Sequence, residues 1–388
     1  MNDLRPHGRP RWLVAVTLAL VAACTGSPGG SAMDGDRGQG GSEASTTAPE
    51  SGVSAEEHVA AAVDTYLEGD LTGASEDVRA VLVTVGGRPV LERYYDSSAE
   101  ATSGVFSVTK SVMSILVGIA LDEGDLGSVE QTLAKLLPEY AATMAPEVAG
   151  VTLRQVLTMT AGLPQDTAGS DPLPFETADD WIAAIVSGGL VRPPGEDFAY
   201  ASAGSHLLSA ILVEATGRSV LDYAREKLFD PLGISTDPAA EPLAVIENLP
   251  VYEAASFAWP VDPQGLHLGH TYLKINAPDM AKIGQLMLDD GRWGGEQIVS
   301  TQWVTESTRA QVATSGGSTG DYGYQWWVTT ANGLDAFAAV GFGGQLIEVV
   351  PDLRLVVVVS NTVPDVPRLT SASFIALVDQ LIAPAVTP

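Results

Sequence analysis

Basic residues are scarce in this chain of 388 residues, in which 20 lysines and arginines stand against 48 aspartates and glutamates. The formal net charge is -28 at pH 7. Nucleic acid binding depends on basic side chains that release counterions from the phosphates, so a chain this acidic is predicted to have no nucleic acid partner. The charge instead favours solubility and attracts cationic solutes.

Cysteine is almost absent, because Cys24 is the only one, and a disulfide within the chain is therefore excluded. An apolar run long enough to span a membrane easily is also lacking at the N-terminus. There the apolar stretch WLVAVTLALVAAC follows Arg5, Arg9 and Arg11 and is short for a transmembrane helix. Basic residues, a short apolar run and small residues in this order predict that residues 1–23 are a targeting segment.

The end of this segment, Val21-Ala22-Ala23-Cys24, resembles the lipobox of bacterial lipoproteins, in which the cysteine is diacylated and becomes the mature N-terminus. The resemblance implies export and a lipid anchor on the outer face of the cytoplasmic membrane. An ordinary secretory signal that ends in a chance cysteine is the alternative. Residues 24–54 are rich in Gly, Ser, Thr and Pro, a composition that predicts a flexible tether.

Residues 55–388 are predicted to form one α+β domain. Val78–Asp96 reads as a hairpin, because β-branched residues flank a Gly-Gly pair. Helices follow, and strands return over 336–360 before a closing helix. The predicted internal helices are Leu153–Gly162, Gly204–Thr216, Val220–Phe229 and Pro278–Gly291. This order favours an antiparallel sheet made from both ends of the chain and flanked by helices, with a helical subdomain inserted between.

A serine and a lysine three residues apart, Ser107 and Lys110, open the apolar segment VTKSVMSILVGIAL. If Val108–Leu121 is helical, both side chains lie on one face and the amine reaches the serine oxygen. A buried lysine finds partners or loses its proton, and a neutral amine can accept the serine proton. The alternative is a serine that caps the helix, followed by a surface lysine.

The segment FSVTKS resembles the SxxK motif of the serine β-lactamase and penicillin-binding protein superfamily. PPGEDFAYASAGSHLLSAILVEATG is similar to the second-motif region of its class C-like branch, in which Tyr-x-Asn or Tyr-x-Ser follows a Pro-Gly turn. TLRQVLTMTAGL, YGYQWW and GFGGQLIEVVPDLRLVVVVSN extend the resemblance over most of residues 75–380. It is strongest toward the esterase and amidase members, including the 6-aminohexanoate-dimer hydrolases.

The resemblance implies a β-lactamase/DD-peptidase-like fold and a serine hydrolase. Ser107 would be the nucleophile, Lys110 the base that deprotonates it and Tyr200 the proton relay. Ser202, the third residue of the Tyr-x-Ser triplet, would hydrogen-bond Lys110. These roles imply an acyl-enzyme mechanism on a small-molecule ester or amide.

The third motif of most relatives, Lys-x-Gly or His-x-Gly, is expected at Ala339-Val340-Gly341, where this chain has no cation. Recognition of a β-lactam carboxylate is therefore in doubt. The backbone N–H of Phe342 would still complete an oxyanion hole, and Phe342 with Gly343 is assigned to substrate binding. A DD-peptidase or β-lactamase shares the mechanism and is one alternative; a non-catalytic binder of peptides or cell-wall fragments is another.

Two further groups have two interpretations each. Trp326 and Trp327 would either wall a substrate cleft or belong to the core. His206, His267 and His270 suggest metal ligands, but the chain has no HExxH motif and no third ligand at a plausible spacing. We therefore predict neither a metal nor another cofactor, and interpret the segment around His267 and His270 as a loop that lines the cleft mouth.

Overall fold

A computed structural model describes residues 54–69, 74–167, 172–242, 249–314, 320–362 and 370–387. The predicted signal peptide, Cys24 and all of the tether except Ser54 lie outside the described residues, so their assignments stay predictions. Within the described ranges, no helix combines the length and apolar character that a membrane span requires.

The predicted order of strands, helices, strands and a closing helix is observed, but helix α1 precedes the first strand and was not predicted. The helices are α1 (Ala55–Glu68), α2 (Val108–Glu123), α3 (Leu133–Leu136), α4 (Pro146–Ala149), α5 (Leu153–Leu157), α6 (Trp181–Ser187), α7 (Ser202–Thr216), α8 (Val220–Ala224), α9 (Asp230–Leu232), α10 (Leu249–Ala254), α11 (Ala277–Leu288), α12 (Thr301–Thr308), α13 (Ser371–Leu377) and α14 (Ala383–Val386). The strands are β1 (Val78–Val85), β2 (Arg88–Tyr94), β3 (Thr102–Gly104), β4 (Ala239–Ala240), β5 (Phe257–Ala258), β6 (Lys274–Asn276), β7 (Arg292–Trp293), β8 (Glu296–Gln297), β9 (Asp321–Tyr322), β10 (Trp327–Ala331), β11 (Leu334–Gly341), β12 (Gln345–Val350) and β13 (Leu355–Asn361).

The main sheet has seven antiparallel strands in the order β2-β1-β13-β12-β11-β10-β9. Its N-terminal hairpin turns at two glycines with φ of 58° and 75°, which matches the predicted primed turn. Strand β1 then pairs with β13, where Val81 lies opposite Val359. The prediction of an antiparallel α+β sheet built from both ends of the chain is confirmed.

Helix α2 lies at the centre of the domain and carries the Ser-Lys pair. Every residue from Val108 to Ala120 is buried, because the helix packs between the sheet and α7, which is itself buried from Ser202 to Leu212. Helix α11 covers β12 and β13, while α1, α13 and α14 cover the opposite face of the sheet. A smaller sheet, β3-β6-β5-β4, flanks the start of α2.

The predicted helix from Leu153 to Gly162 ends earlier, at Leu157. Met159 has a left-handed backbone with φ of 59°, and its carbonyl accepts the Ala199 N–H at 2.8 Å. The chain therefore leaves the helix to run beside the segment before α7. That pairing holds the segment containing Tyr200 against the rest of the domain.

Candidate active site

Ser107 and Lys110 meet at the N-terminus of α2, as the spacing predicts. Ser107 takes the N-cap position, yet its hydroxyl makes no capping hydrogen bond. Lys110 is only 2% exposed, and its Nζ lies 3.1 Å from Ser107 Oγ. The surface lysine of the alternative is therefore wrong, while Ser107 keeps the N-cap position without its capping hydrogen bond.

The environment of Lys110 favours the neutral amine. Burial lowers its pKa to about 8, although the carboxylates of Asp166 and Glu176 act in the opposite direction. The Nζ also donates to the carbonyl oxygen of His270 at 2.7 Å. A lysine with this pKa is partly neutral near pH 7 to 8 and can accept a proton from a hydroxyl beside it.

Tyr200 reaches the same place from the loop before α7. Lys110 Nζ lies 5.0 Å from the centre of its ring, which stacks on Trp327 at 6.1 Å. Burial raises the pKa of Tyr200, and a hydrogen-bonding interaction with the Ser107 side chain acts in the opposite direction. The phenol therefore stays protonated at neutral pH and acts as a hydrogen-bond donor.

Ser202 has a different partner from the predicted one. Its hydroxyl donates to Asp166 Oδ2 at 2.6 Å and its backbone N–H donates to Asp166 Oδ1 at 2.9 Å, while Asp166 N–H donates to Tyr200 O at 2.9 Å. Among the described residues, the partners of Lys110 Nζ are Ser107 Oγ and His270 O. The predicted Ser202–Lys110 hydrogen bond is wrong: the Ser202 hydroxyl donates to Asp166 instead, and Lys110 Nζ donates elsewhere.

The end of strand β11 lies directly against the segment that carries Ser107. A Cβ atom on Gly341 would come within 2.3 Å of Val105 O, so only glycine permits this approach. The following residue is Phe342, whose ring packs edge-on against that of Phe106 with ring centres 5.7 Å apart. Phe106 has φ of 47°, an unusual backbone for a bulky residue and one that clusters at functional sites. Gly343 is buried in the turn that follows, with φ of 73°.

Ala339 and both tryptophans are core residues. Ala339 and Trp326 are fully buried, and Trp327 is 6% exposed. Strand β11 therefore offers no cation beside the nucleophile, as the sequence predicts. Trp327 does bear on the site indirectly, because it supports the ring of Tyr200.

Each of the three histidines lies beside a carboxylate, and the rings of His206 and His270 also contact each other, with centres 5.4 Å apart. The pairs are His206 Nε2 with Asp262 Oδ2 at 3.0 Å, His267 Nε2 with Glu241 Oε2 at 3.1 Å and His270 Nε2 with Glu176 Oε1 at 2.9 Å. In the described part of the chain, no group of three or more His, Cys, Asp or Glu side chains is arranged to hold a metal ion.

Sequence reasoning missed the acidic neighbours of Lys110. Asp166 and Glu176 lie more than fifty positions downstream of the lysine, in segments without any motif. The loop that contains His270 was expected at the cleft mouth, and it comes closer than that, because the His270 carbonyl binds the lysine itself. A main-chain contact of this kind leaves no pattern in the sequence.

One sequence of the form GxSxG occurs at residues 316–320. A nucleophile elbow of that form places its serine on a turn from a strand into a helix. Here Gly320 is followed directly by strand β9, and residues 316–319 lie outside the described residues. The described residues after Gly320 enter a strand, where an elbow requires a helix, so the Ser-Lys pair stays the candidate.

Comparisons with known proteins identify the family and the fold. A family model described as beta-lactamase matches residues 59–380. The 6-aminohexanoate-dimer hydrolase of Paenarthrobacter ureafaciens is 25% identical over 303 residues, 72% of this chain and 71% of that protein. Penicillin-binding protein 4 of Amycolatopsis lactamdurans is 28% identical over 208 residues, 50% of this chain and 53% of that protein. The crystal structure of a family VIII carboxylesterase shares the fold, with a TM-score of 0.62 and 18% identity over 83% of this chain and 96% of that one.

Proposed function

The chain belongs to the β-lactamase family of serine hydrolases, and on that premise we propose that it cleaves a small-molecule ester or amide through an acyl-enzyme on Ser107. The observation that carries the proposal is the buried amine of Lys110, 3.1 Å from Ser107 Oγ, with a pKa lowered to about 8. A non-catalytic binding protein has no need of an activated hydroxyl. This buried pair therefore favours the enzyme over the binder.

Acylation begins when neutral Lys110 takes the proton of Ser107 as its oxygen attacks the substrate carbonyl carbon. The new C–O bond converts the carbonyl oxygen to an oxyanion. The backbone N–H of Ser107, at the N-terminus of α2, and that of Phe342 are the two donors proposed for this oxyanion. Within the described residues, no acceptor occupies the Ser107 N–H.

Collapse of this intermediate breaks the bond to the leaving alcohol or amine. The leaving group takes a proton from the Tyr200 hydroxyl, and Tyr200 recovers one from the Lys110 ammonium, so the site returns to its initial protonation state. Water then attacks the acyl-enzyme by the same route in reverse, with Lys110 as base. Ser107 is released with the carboxylic acid product.

The substrate is proposed to be neutral next to the scissile bond. A β-lactam or a D-Ala-D-Ala peptide carries a carboxylate there, and Ala339 offers no cation to it. A charge-assisted hydrogen bond contributes roughly 1.5 to 3 kcal/mol, so such substrates lose about one to two powers of ten in transition-state binding. Neutral esters and amides suffer no such loss.

Covalent labelling tests the nucleophile. A fluorophosphonate probe is expected to add one label to the wild-type chain and none to Ser107→Ala, as measured by intact mass. Labelling that persists in Ser107→Ala assigns the nucleophile elsewhere, and a wild type that neither labels nor hydrolyses any ester supports the binder.

The substrate class is tested by kcat/KM for a p-nitrophenyl short-chain ester and for a chromogenic cephalosporin on one preparation. The ester is expected to have the higher value. Faster turnover of the cephalosporin would favour the β-lactamase or DD-peptidase alternative and a cation from another part of the chain.

We also propose that the enzyme works outside the cytoplasm, tethered by lipid on Cys24 to the outer face of the cytoplasmic membrane. The order of basic residues, apolar run and Val-Ala-Ala-Cys supports this, with residues 1–23 as signal and 24–54 as tether. Two acyl chains anchor a protein stably, whereas one binds marginally. Fractionation is the test: Cys24→Ser is expected to move the protein from membrane to soluble fraction, and an unaltered distribution contradicts the anchor.

A further inference from the structure

A neutral lysine that serves as a base needs a fixed orientation, because its nitrogen has one lone pair and two N–H groups. The lone pair of Lys110 has to face the Ser107 hydroxyl, so an acceptor on another side must take an N–H. His270 O is that acceptor, and at 2.7 Å it is closer to Nζ than Ser107 Oγ is at 3.1 Å. The position of this carbonyl therefore restricts the directions in which the lone pair can point.

His270 lies in a loop, and its side chain fixes the loop. The imidazole is buried, and its Nε2 lies 2.9 Å from Glu176 Oε1. The other oxygen of the same carboxylate accepts the Leu173 N–H at 2.7 Å, which holds Glu176 at the start of its own turn. One carboxylate thus joins two segments that are 94 residues apart.

Packing around the imidazole leaves it little freedom. The rings of Phe175 and Trp181 contact His270 with centres 5.6 and 6.5 Å away. The preceding residue, Gly269, is pressed on helix α7, where a Cβ atom would lie 2.5 Å from Ser205 O. Helix α7 therefore holds one side of the loop, and the Glu176–His270 hydrogen bond holds the other side.

We propose that Glu176 and His270 are a positioning pair for the general base: their hydrogen bond sets the His270 carbonyl, which orients the Lys110 amine toward Ser107. The proposal rests on the proposed function, since it concerns the same nucleophile and base. Both side chains act through Lys110. Their effect is on the rate of acylation and on the proton affinity of Lys110.

The pair also contributes charge to a site with several titratable groups. Those that face Lys110 or His270 are Tyr200 and His206 from around α7, Asp166 from the loop before it, Asp262 from the loop after β5, and Glu176 itself. The Glu176 carboxylate raises the pKa of Lys110 against the dominant effect of burial. Replacing it with a neutral group is therefore expected to lower the pH at which the base becomes active.

Two substitutions of Glu176 separate position from charge in the full-length protein. Glu176→Gln keeps an oxygen for Leu173 N–H and an amide N–H for His270 Nε2, so the carbonyl stays in place. Its kcat is expected near wild type, with the midpoint of the pH profile shifted down. Glu176→Ala frees the loop, and a misplaced catalytic group costs up to about 10²-fold in rate, so kcat and the fluorophosphonate labelling rate fall while KM changes little.

The matched control is Glu241→Ala. Glu241 contacts His267, which lies three residues before His270. The substitution therefore removes a His–carboxylate pair from the same loop without affecting a contact of Lys110. We expect it to lower the thermal midpoint while kcat and the pH midpoint stay at wild-type values. Equal losses of kcat in Glu176→Ala and Glu241→Ala, or a wild-type kcat in Glu176→Ala, overturn the proposal. Failure of the proposed function is separate, because it appears as a wild type that does not label at Ser107.

Discussion

Two lysines are buried in this domain, and only one of them has the surroundings of a base. Lys110 and Lys274 are 2% and 5% exposed, and each lies over a tyrosine ring, Tyr200 at 5.0 Å and Tyr252 at 5.4 Å. Burial lowers the pKa of both. Burial and an aromatic neighbour therefore do not by themselves distinguish a catalytic lysine.

The difference lies in the hydrogen-bond partners. Lys274 Nζ donates to two main-chain carbonyls, Tyr252 O at 2.9 Å and Glu253 O at 2.8 Å, neither of which has a proton to give. Lys110 has one carbonyl and one hydroxyl, and the hydroxyl can give its proton to the amine. A buried lysine becomes a general base where one of its partners is itself a proton donor.

Replacing each lysine by methionine gives the largest expected contrast. Lys110→Met removes the base, and loss of a positioned general base costs roughly 10²- to 10⁴-fold in kcat/KM. Lys274→Met leaves kcat/KM of the folded protein near wild type and lowers stability, because two carbonyls lose charge-assisted donors worth roughly 1.5 to 3 kcal/mol each. Ester turnover and thermal unfolding of the two variants measure this. A Lys110→Met enzyme with near-normal turnover would mean that another base operates.

Stability is expected to move in the opposite direction for Lys110. Its pKa of about 8 in the folded state lies below the usual 10.5, so burying the ammonium destabilises the folded state. This destabilisation is complete below about pH 8 and disappears as the pH rises toward 10.5. Lys110→Met has no such cost. Denaturant unfolding at pH 7 should show this variant at least as stable as wild type, and a lower stability would contradict the low pKa.

The two tyrosines provide the next contrast. Tyr200→Phe removes the hydroxyl that interacts with Ser107 and is expected to lower kcat about 10²-fold, the smaller end of acid–base effects. The hydroxyl of Tyr252 is buried without a partner in the described part of the chain, so Tyr252→Phe removes an unsatisfied group and is neutral or stabilising. Single-turnover acylation rates and melting temperatures distinguish the two. Equal loss of activity in both variants would remove Tyr200 from the proton relay.

The pH dependence gives a smaller but more specific effect. Because the neutral amine is the active form, kcat/KM is expected to rise with pH through a midpoint of about 8. The carboxylate of Asp166 raises the Lys110 pKa, so Asp166→Asn should shift this midpoint to lower pH. Lys274→Met should leave it unchanged. A midpoint that follows Lys274 rather than Asp166 would contradict the assignment of the base.

Much of the nucleophilic site could be predicted from local sequence. Ser107 and Lys110 lie on one helix three residues apart, and a helix places such residues together whatever the rest of the chain does. Tyr200 is predicted from the resemblance of its Pro-Gly turn and Tyr-x-Ser triplet to the second motif of the family. The sheet was predictable for the same local reason, since β-branched runs and glycine turns specify hairpins over a few residues.

Contacts between distant segments could not be predicted in this way. The sequence alone determined that a helix carries a serine and a lysine on one face, that a tyrosine triplet follows a turn, and that the third-motif strand has no cation. Tertiary structure decided that Ser202 binds Asp166, that the His270 carbonyl takes an N–H of Lys110, and that Lys274 has no hydroxyl partner. Those choices depend on which loops pack against α2, and hydrogen bonds to main-chain carbonyls carry no signature in side-chain identity.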